Sequence, residues 1–245
     1  MELDRKDIAK RAAAQEALKL VEDGMRLGLG TGSTAKWFVE LLGERAKREG
    51  LELTCVATSS QTERLARQAG LKLETLDEAG WLDLVVDGAD EFDPDLNLIK
   101  GGGGALLQEK IVACAADRMV VISDVSKQVE VLGSFPLPVE IVTFGWETTK
   151  AIVEETLEDL DVGGALTVLR MSGDQPYVTD NGNLILDCHL KRIGDAEDVS
   201  VSLNQIPGVV ETGLFLDIAD TVIVGHEDGT TDMLSLSEDE GAEAG

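Results

Sequence analysis

Three short segments of the chain combine glycines with residues that can move protons or bind an anion. They are Gly28–Thr34, Asp87–Glu91 and Lys100–Lys110. Successive glycines let the backbone turn sharply and present its N–H groups to a ligand. Carboxyl groups can exchange protons with a substrate, and a lysine can stabilise negative charge that develops on oxygen. These residue types suit proton transfer on a small anionic substrate.

The first segment, Gly28-Leu-Gly-Thr-Gly-Ser-Thr34, lies between a predicted strand, Met25–Leu29, and a predicted helix, Thr34–Arg48. A helix N-terminus that follows a glycine loop favours an anion. The segment is not a dinucleotide fingerprint, because Ser33 stands where the third glycine is required, and it lacks the Gly-Lys-Ser/Thr of a P-loop. We expect it to bind a phosphate group on a molecule no larger than a mononucleotide; a purely structural turn is the alternative.

The second segment, Asp87-Gly-Ala-Asp90-Glu91, follows a short apolar run, Leu84–Val86. In open α/β sheets, residues at the carboxyl ends of parallel strands face the ligand crevice. Turn or helix capping is the structural alternative for these acids. The carboxylates of Asp87 and Asp90 could also bind Mg²⁺. We favour a site without metal, because the third segment supplies a cation, Lys100, where the metal would lie.

The third segment contains Lys100, four consecutive glycines and Glu109. Four glycines weaken any regular element, so the loop is expected to approach a ligand closely or to need positive φ angles. Glu109 falls in the first turns of a predicted helix, Ala105–Ala116. An isolated glutamate there is more often a surface residue or an acid that complements the helix dipole. The glycine loop beside Glu109 favours a role in the site.

The elements that must position these segments alternate between strand and helix in the first half of the chain, which predicts a parallel sheet covered by helices. We therefore predict an α/β fold, a Rossmann-like parallel sheet with helices on both faces, plus a smaller inserted α+β domain of ferredoxin-like type. The predicted domains are 1–130 with 205–235 for the catalytic domain and 131–204 for the small one, followed by an acidic disordered tail at 236–245. The segment Val209–Val224 is expected to supply two strands that rejoin the first sheet.

Composition restricts the class of protein. The formal net charge is −26, with 21 Lys and Arg against 47 Asp and Glu, which disfavours binding to nucleic acid. The 43% of hydrophobic residues indicates a packed core rather than a disordered chain. Because the acids are spread along the whole chain, we expect an acidic surface adapted to high salt, where screening removes most self-repulsion.

The cysteine and histidine content points to the inside of a cell. Three cysteines, Cys55, Cys114 and Cys188, lie far apart among apolar residues and are expected to be free, buried thiols. Two histidines without clustered cysteines make a zinc site improbable. The chain has neither a long apolar span nor an apolar signal sequence after Met1, so we expect a cytoplasmic protein.

Taken together, the three segments resemble ribose 5-phosphate isomerases of the type A family in order and spacing. Four further segments are also similar to that family: Ser123–Gln128, Phe135–Glu140, Val178–Asn183 and Ile206–Val210. The resemblance covers about residues 5–230. Departures are confined to Phe92-Asp93 and to the acidic C-terminal extension, and neither changes a residue that the resemblance assigns to catalysis.

The resemblance implies isomerisation of ribose 5-phosphate through an enediolate, with no metal or organic cofactor. Glu109 would be the base, and Asp87 would carry protons between O1 and O2 and help to open the sugar ring. Lys100, with the backbone N–H groups of Gly101–Gly103 and the neighbourhood of Asp90, would steady the enediolate. The loop 31–34 and Lys127 would bind the phosphate, while Lys10 and Arg170 have no assigned role. The implied substrate-binding residues are Thr31, Gly32, Ser33, Thr34, Asp87, Gly88, Ala89, Asp90, Lys100, Gly101, Gly102, Gly103 and Lys127. Related isomerases associate as dimers or tetramers, so a homodimer or homotetramer is expected.

Two alternatives come from other classes of protein. A sugar-phosphate sensor on a similar fold would bind without catalysis, but such regulators carry a basic DNA-binding module and this chain has no such segment. A CoA transferase-like enzyme would use a glutamate as a covalent nucleophile, and a trapped glutamyl thioester would identify it.

Overall fold

A computed structural model describes residues 4–236 of the chain. The predicted acidic tail, apart from Leu236, lies outside the described residues. The seven α-helices of residues 4–236 are α1 (Arg5–Ala17), α2 (Ser33–Glu49), α3 (Ser60–Gln68), α4 (Leu76–Ala79), α5 (Leu106–Cys114), α6 (Trp146–Glu158) and α7 (Ala196–Asn204). None of the helices in this part of the chain combines the length and the apolar character that crossing a membrane requires.

The same residues form fifteen strands. They are β1 (Arg26–Leu29), β2 (Thr54–Ala57), β3 (Leu84–Asp87), β4 (Glu91–Phe92), β5 (Leu98–Ile99), β6 (Met119–Asp124), β7 (Leu137–Ile141), β8 (Leu166–Leu169), β9 (Met171–Ser172), β10 (Gln175–Pro176), β11 (Leu184–His189), β12 (Val209–Thr212), β13 (Leu214–Phe215), β14 (Thr221–Gly225) and β15 (Thr231–Ser235). Short 3₁₀ turns, Leu18–Leu20 and Val125–Lys127, follow α1 and β6.

The large sheet has the strand order β15-β14-β6-β3-β1-β2. Its strands are parallel except β15, which pairs antiparallel with β14 at one edge. Leu84 and Val86 pack into one core layer with residues of α1, α2 and α3. Val85, between them, packs into a second layer with residues of α4 and α5 on the other face, as strand alternation requires. The prediction of a parallel sheet with helices on both faces is confirmed.

The small sheet is antiparallel, with the order β12-β7-β11-β8. Helices α6 and α7 cover one face and share an apolar core with Val139, Leu186 and their neighbours. The chain order β7-α6-β8-β11-α7-β12 with this strand order is the split βαβ arrangement expected for a ferredoxin-like unit.

The expectation that Val209–Val224 returns two strands to the large sheet is wrong in part. Only β14 does so, whereas β12 pairs with β7 in the small sheet and β13 pairs with β5. A short apolar run carries no information about which sheet will accept it, and pairing with β7 places Val209 against the small core. The division into domains 1–130 with 205–235 and 131–204 stays a prediction. Strand β12 belongs to the small sheet, although its residues fall within the segment 205–235 that was assigned to the catalytic domain.

The cysteines also depart from expectation at one position. Cys55 and Cys188 are free and buried, but Cys114 is free and exposed. Cys114 is the last residue of α5. Its neighbours Val112 and Ala113 lie on the buried face of this helix, whereas Cys114 lies on the exposed face. Apolar neighbours in sequence predicted burial, but the helical rotation decides it.

A three-stranded sheet, β13-β5-β4, connects the large and small sheets. Strands β4 and β5 pair antiparallel, with Glu91 opposite Ile99, and the N–H of Asp90 donates to the carbonyl of Ile99 at 2.8 Å. This pairing places the residue before β4, Asp90, beside the residue after β5, Lys100. It brings the second and third glycine-containing segments together.

Candidate active site

The first segment forms a tight loop between β1 and α2. Gly30 donates its N–H to Val86 of the neighbouring strand at 2.9 Å. A Cβ atom at Gly30 would lie only 2.1 Å from Asp87 Oδ1, so no larger residue fits there. Helix α2 then begins at Ser33 with no side chain capping its first turn. The free N–H groups of that turn make this helix end suited to an anion.

Thr31 lines the cleft and also anchors the loop. Its Oγ1 atom lies within hydrogen-bond distance of Thr58, Ser59 and Thr62, at 2.8, 2.8 and 3.0 Å, and its N–H donates to Asp87 Oδ1 at 3.1 Å. The hydroxyl and the N–H of Thr31 are therefore both engaged within the protein. That Thr31 binds substrate stays a prediction.

A buried ion cluster lies at the centre of the site. The Nζ atom of Lys100 donates to the carbonyl of Gly88 at 2.6 Å and to Glu109 Oε1 at 3.1 Å. It also lies 3.0 Å from Asp87 Oδ2, in an ion-pair contact without hydrogen-bond geometry. The three charged side chains are almost completely buried, at 2%, 4% and 0% exposure for Lys100, Glu109 and Asp87. The cluster holds two carboxylates against one ammonium group.

Burial controls the proton affinities of this cluster. Loss of solvation raises the pKa of Glu109 to about 8, against the opposing charge of Lys100 and with the help of Asp87. Burial alone would lower the pKa of Lys100, but the charges of Asp87 and Glu109 outweigh it and raise that pKa. Lys100 therefore stays charged, while Glu109 can both accept and release a proton near neutral pH.

Glu109 has one oxygen available for chemistry. It lies in the first turn of α5, and its Oε2 atom is buried without a hydrogen-bond partner among residues 4–236. Glu109 lines the same cleft as Lys100, Thr34 and Ala89. An unsatisfied buried carboxylate oxygen is costly to maintain in a folded protein. Such an oxygen is placed to take a proton from a molecule in the cleft.

The glycine loop after Lys100 forms another wall of the cleft. Gly101 and Gly103 line it, as does Gly88. The N–H of Gly102 donates to Asp90 Oδ2 at 2.7 Å. Asp90 lines the cleft and holds this loop at the same time.

Two lysines line the cleft near the start of α2. Lys10 Nζ donates to Ser33 Oγ at 2.9 Å, and Lys127 lines the cleft from the 3₁₀ turn after β6. Neither lysine makes an ion pair within the part of the chain that the structure describes. The two charges reinforce the helix dipole and make this end of the cleft the place for a doubly charged anion such as a phosphate.

The structure brings eleven of the thirteen predicted binding residues to the wall of one cleft. They are Thr31, Gly32, Ser33, Thr34, Gly88, Ala89, Asp90, Lys100, Gly101, Gly103 and Lys127, together with the predicted base Glu109. Asp87 and Gly102 do not line it themselves but contact residues that do, Lys100 and Asp90. The cleft thus combines a buried carboxyl group and a buried cation with a helix N-terminus and two further lysines.

Three residues of the small sheet region touch the site without a role predicted from the sequence. Arg170 and Tyr177 contact the glycine loop, and Asp187 holds Arg170. The hydroxyl cluster of Thr58, Ser59 and Thr62 around Thr31 was not predicted either. These residues carry no local motif, and only the spatial arrangement of strands reveals them.

Comparison with known proteins agrees with this geometry. Residues 54–229 match the family model of ribose 5-phosphate isomerase A, also described as phosphoriboisomerase A. The chain is 61% identical to the ribose-5-phosphate isomerase A of Dinoroseobacter shibae over 232 residues, which are 95% of this chain and 89% of that protein.

Two solved structures are similar over nearly the whole chain. The ribose 5-phosphate isomerase A of Methanocaldococcus jannaschii superposes with a TM-score of 0.86 at 42% identity, covering 95% of this chain and all of that one. A D-ribose-5-phosphate isomerase in complex with phospho-erythronic acid superposes with a TM-score of 0.85 at 45% identity, covering 92% of this chain and 97% of that one.

Proposed function

The chain belongs to the ribose 5-phosphate isomerase A family, and from this premise we infer which of its residues carry out the reaction. It is an isomerase that interconverts D-ribose 5-phosphate and D-ribulose 5-phosphate, a step of the pentose phosphate pathway. The observation that supports our assignment of residues is the unpartnered Oε2 atom of Glu109, buried in the cleft beside Lys100.

Moving the carbonyl group from C1 to C2 requires removal of the proton on C2 and delivery of a proton to C1. We propose that Glu109 does both, because one base with access to neighbouring carbons suffices for an enediolate pathway. The raised pKa of Glu109, about 8, suits a group that must take and then return a proton. The proton on O2 must also move to O1. Asp87, whose Oδ2 atom is buried without a hydrogen-bond partner among residues 4–236 and lies 3.0 Å from Lys100 Nζ, is proposed to carry it and to assist ring opening.

Lys100 is proposed to stabilise the enediolate through a change in its own pairing. Before reaction its charge is balanced by Asp87 and Glu109. When Glu109 accepts the C2 proton it becomes neutral, and the Lys100 charge is left less compensated as negative charge forms on the substrate oxygen. The attraction is therefore greater in the transition state than in the ground state, which is the condition for catalysis.

The phosphate group is proposed to bind at the start of α2. Free N–H groups of the first turn, the side chains of Ser33 and Thr34, and the cations of Lys10 and Lys127 converge there. This assignment fixes the direction of the sugar, with C1 and C2 toward Glu109 and the phosphate toward α2. Phospho-erythronic acid, which one similar isomerase binds, is proposed to occupy the cleft in the same direction.

The setting of the enzyme is a further part of the proposal. We propose a cytoplasmic homodimer or homotetramer whose surface is adapted to high salt. The free thiols of Cys55, Cys114 and Cys188 and the net charge of −26 support these assignments.

Direct observation of the reaction tests this function. Purified protein in molar KCl with excess EDTA is given ribose 5-phosphate, and NMR follows formation of ribulose 5-phosphate. We expect conversion to the equilibrium mixture at a rate that EDTA does not reduce. A folded protein that binds ribose 5-phosphate without converting it would identify a sensor, and a rate abolished by EDTA would contradict the metal-free assignment.

A further inference from the structure

Three carbonyl groups of the glycine loop, those of Gly101, Gly102 and Gly103, accept hydrogen bonds from residues of the small sheet region. Arg170 Nη1 donates to the carbonyl of Gly101 at 2.8 Å and to that of Gly102 at 3.2 Å. The Tyr177 hydroxyl donates to the carbonyl of Gly103 at 3.4 Å. Three successive carbonyls are thus held by two side chains from outside the loop.

A hydrogen bond that fixes the direction of a backbone carbonyl also fixes the direction of the N–H of the next residue. A peptide unit is planar and trans, so its C=O and N–H point in opposite directions. The carbonyl of Gly102 and the N–H of Gly103 belong to one such unit, and the carbonyl points to Arg170. Its N–H is therefore directed to the opposite side, where Gly103 lines the cleft. Among residues 4–236, this N–H has no acceptor.

Arg170 is itself held in a defined position. Its guanidinium group pairs with both oxygens of Asp187, through Nη2 to Oδ1 and through Nε to Oδ2, the latter at 3.0 Å. The side chains of Arg170 and Asp187 are only 14% and 22% exposed. A planar guanidinium can satisfy a carboxylate on one edge and carbonyls on another, which an ammonium group cannot do. Both contacts therefore depend on arginine.

Tyr177 packs against the C-terminal end of the glycine loop, at Gly104. A Cβ atom at Gly104 would lie 2.3 Å from the Tyr177 hydroxyl oxygen, so the ring packs directly on the backbone. The φ angle of Gly104 is +80°, which glycine adopts without strain. The loop is thus held between Arg170 and Tyr177, and its position depends on the small sheet region.

We propose that Arg170 is a positioning residue for the isomerisation. By holding the Gly102–Gly103 peptide, it directs the Gly103 N–H at the substrate oxygen that becomes negative in the enediolate. This inference rests on the proposed function. Preorganised N–H donors of this kind stabilise developing charge without having to reorganise during the reaction.

The test compares Arg170→Met with the wild-type enzyme. Loss of one donor to a developing oxyanion costs about 10²–10³-fold in kcat. Loss of its orientation alone should cost less, about 10- to 100-fold. Because the contact forms only as charge develops, KM for ribose 5-phosphate and the inhibition constant of inorganic phosphate should stay within about two-fold. The inhibition constant of phospho-erythronic acid, whose carboxylate presents negative oxygens at the reacting end, should rise several-fold.

A matched control removes another arginine–aspartate pair of the small sheet region. Arg192 pairs with Asp161 and does not touch the glycine loop, so Arg192→Met should leave all four constants unchanged. Arg170→Lys keeps the charge and guards against misfolding of the methionine variant. It cannot hold Asp187 and both carbonyls together, and it should show an intermediate loss of kcat with unchanged phosphate inhibition.

Three results would overturn the proposal. They are a kcat within two-fold of wild type in a folded Arg170→Met or Arg170→Lys protein, an equal weakening of phosphate and phospho-erythronic acid inhibition, and an equal loss of kcat in Arg192→Met. In each case the wild-type enzyme would be active, so the proposed function would stand. Absence of isomerase activity in the wild type would instead contradict the proposed function, and this inference with it.

Discussion

At the scale of single residues, the chemistry depends on a carboxylate whose environment disfavours its charged form. Glu109 is buried beside Lys100, and one of its oxygens has no hydrogen-bond partner in the part of the chain that the structure describes. Most buried polar atoms are paired, so an exception in a cleft indicates function. The positive charge of Lys100 reduces the free-energy cost of burying the Glu109 carboxylate. The same charge can stabilise the proposed oxyanion.

The pKa of Glu109 predicts the pH dependence of the reaction. The base must be ionised, and its pKa is raised by burial to about 8. We therefore expect kcat/KM to rise about ten-fold per pH unit below 8 and to level off above it. Initial rates between pH 6 and 9.5, at constant salt, measure this. A profile that is flat across this range, or that falls as pH rises through 8, would contradict the assignment.

Much of the site could be predicted at the residue scale because its members lie in short motifs. Asp87, Lys100 and Glu109 each stand beside glycines at strand or helix ends, and their association required only that these ends meet. Thr31 lines the cleft as expected, but the contacts of its hydroxyl with Thr58 and its neighbours were not predicted. The direction in which one side chain points depends on packing that no motif records.

At the scale of elements, three elements form the proposed phosphate site. Helix α2 starts directly after the loop from β1, with free N–H groups, and β6 delivers Lys127 to the same place through its 3₁₀ turn. Lys10 reaches Ser33 from α1. Charges brought together from three elements can bind a phosphate group although the chain as a whole is strongly acidic.

Removal of these cations should affect substrate binding rather than chemistry. We expect Lys10→Met and Lys127→Met each to raise KM about ten-fold, with kcat within about two-fold of wild type, because the phosphate contact is the same in the ground and transition states. Steady-state kinetics at fixed salt provides the measurement. Lys19→Met is the matched control, since Lys19 pairs with Glu16 at the far end of α1. A fall in kcat at unchanged KM would place these lysines in the chemical step instead.

Elements with an apolar signature were easier to predict than polar ones. The apolar run Leu84–Val86 matches the buried strand β3, Leu84–Asp87, to within one residue. Strand β15, with the sequence Thr-Asp-Met-Leu-Ser, is exposed along much of its length and has no apolar run to reveal it. The pairing of β12 was wrong for the opposite reason, because an apolar run suits either sheet. Arg170 was left without a role because its partners lie 68 and 69 residues away in the chain.

At the scale of the whole molecule, charge and architecture have to be reconciled. With a net charge of −26, the acidic groups of the protein repel one another at low salt, and they also repel a sugar phosphate. The ion pairs at the surface are mostly local, such as Lys36 with Glu40 and Arg67 with Glu63, and contribute about 0.3–0.5 kcal/mol each. They cannot offset repulsion spread over the whole surface, whereas dissolved salt can.

Salt should therefore strengthen both folding and substrate binding. We expect the urea midpoint of unfolding to rise between 0.1 M and 2 M KCl, and KM to fall over the same interval while the protein remains folded. Circular dichroism and initial rates give the two quantities. An unfolding midpoint that does not respond to KCl would refute the proposed salt adaptation. A KM indifferent to salt would show that the local cations alone determine phosphate binding.

The central claim is that Glu109 is the base, and the turnover of Glu109→Gln tests it most directly. Glutamine keeps the size of the side chain but cannot accept the C2 proton, so we predict that kcat falls by at least about 10²–10⁴-fold while the protein stays folded and binds inorganic phosphate normally. Glu44→Gln, which removes an exposed acid on α2, should keep full activity. Undiminished turnover in Glu109→Gln would contradict the account and move the base elsewhere, with Asp87 the next residue to test.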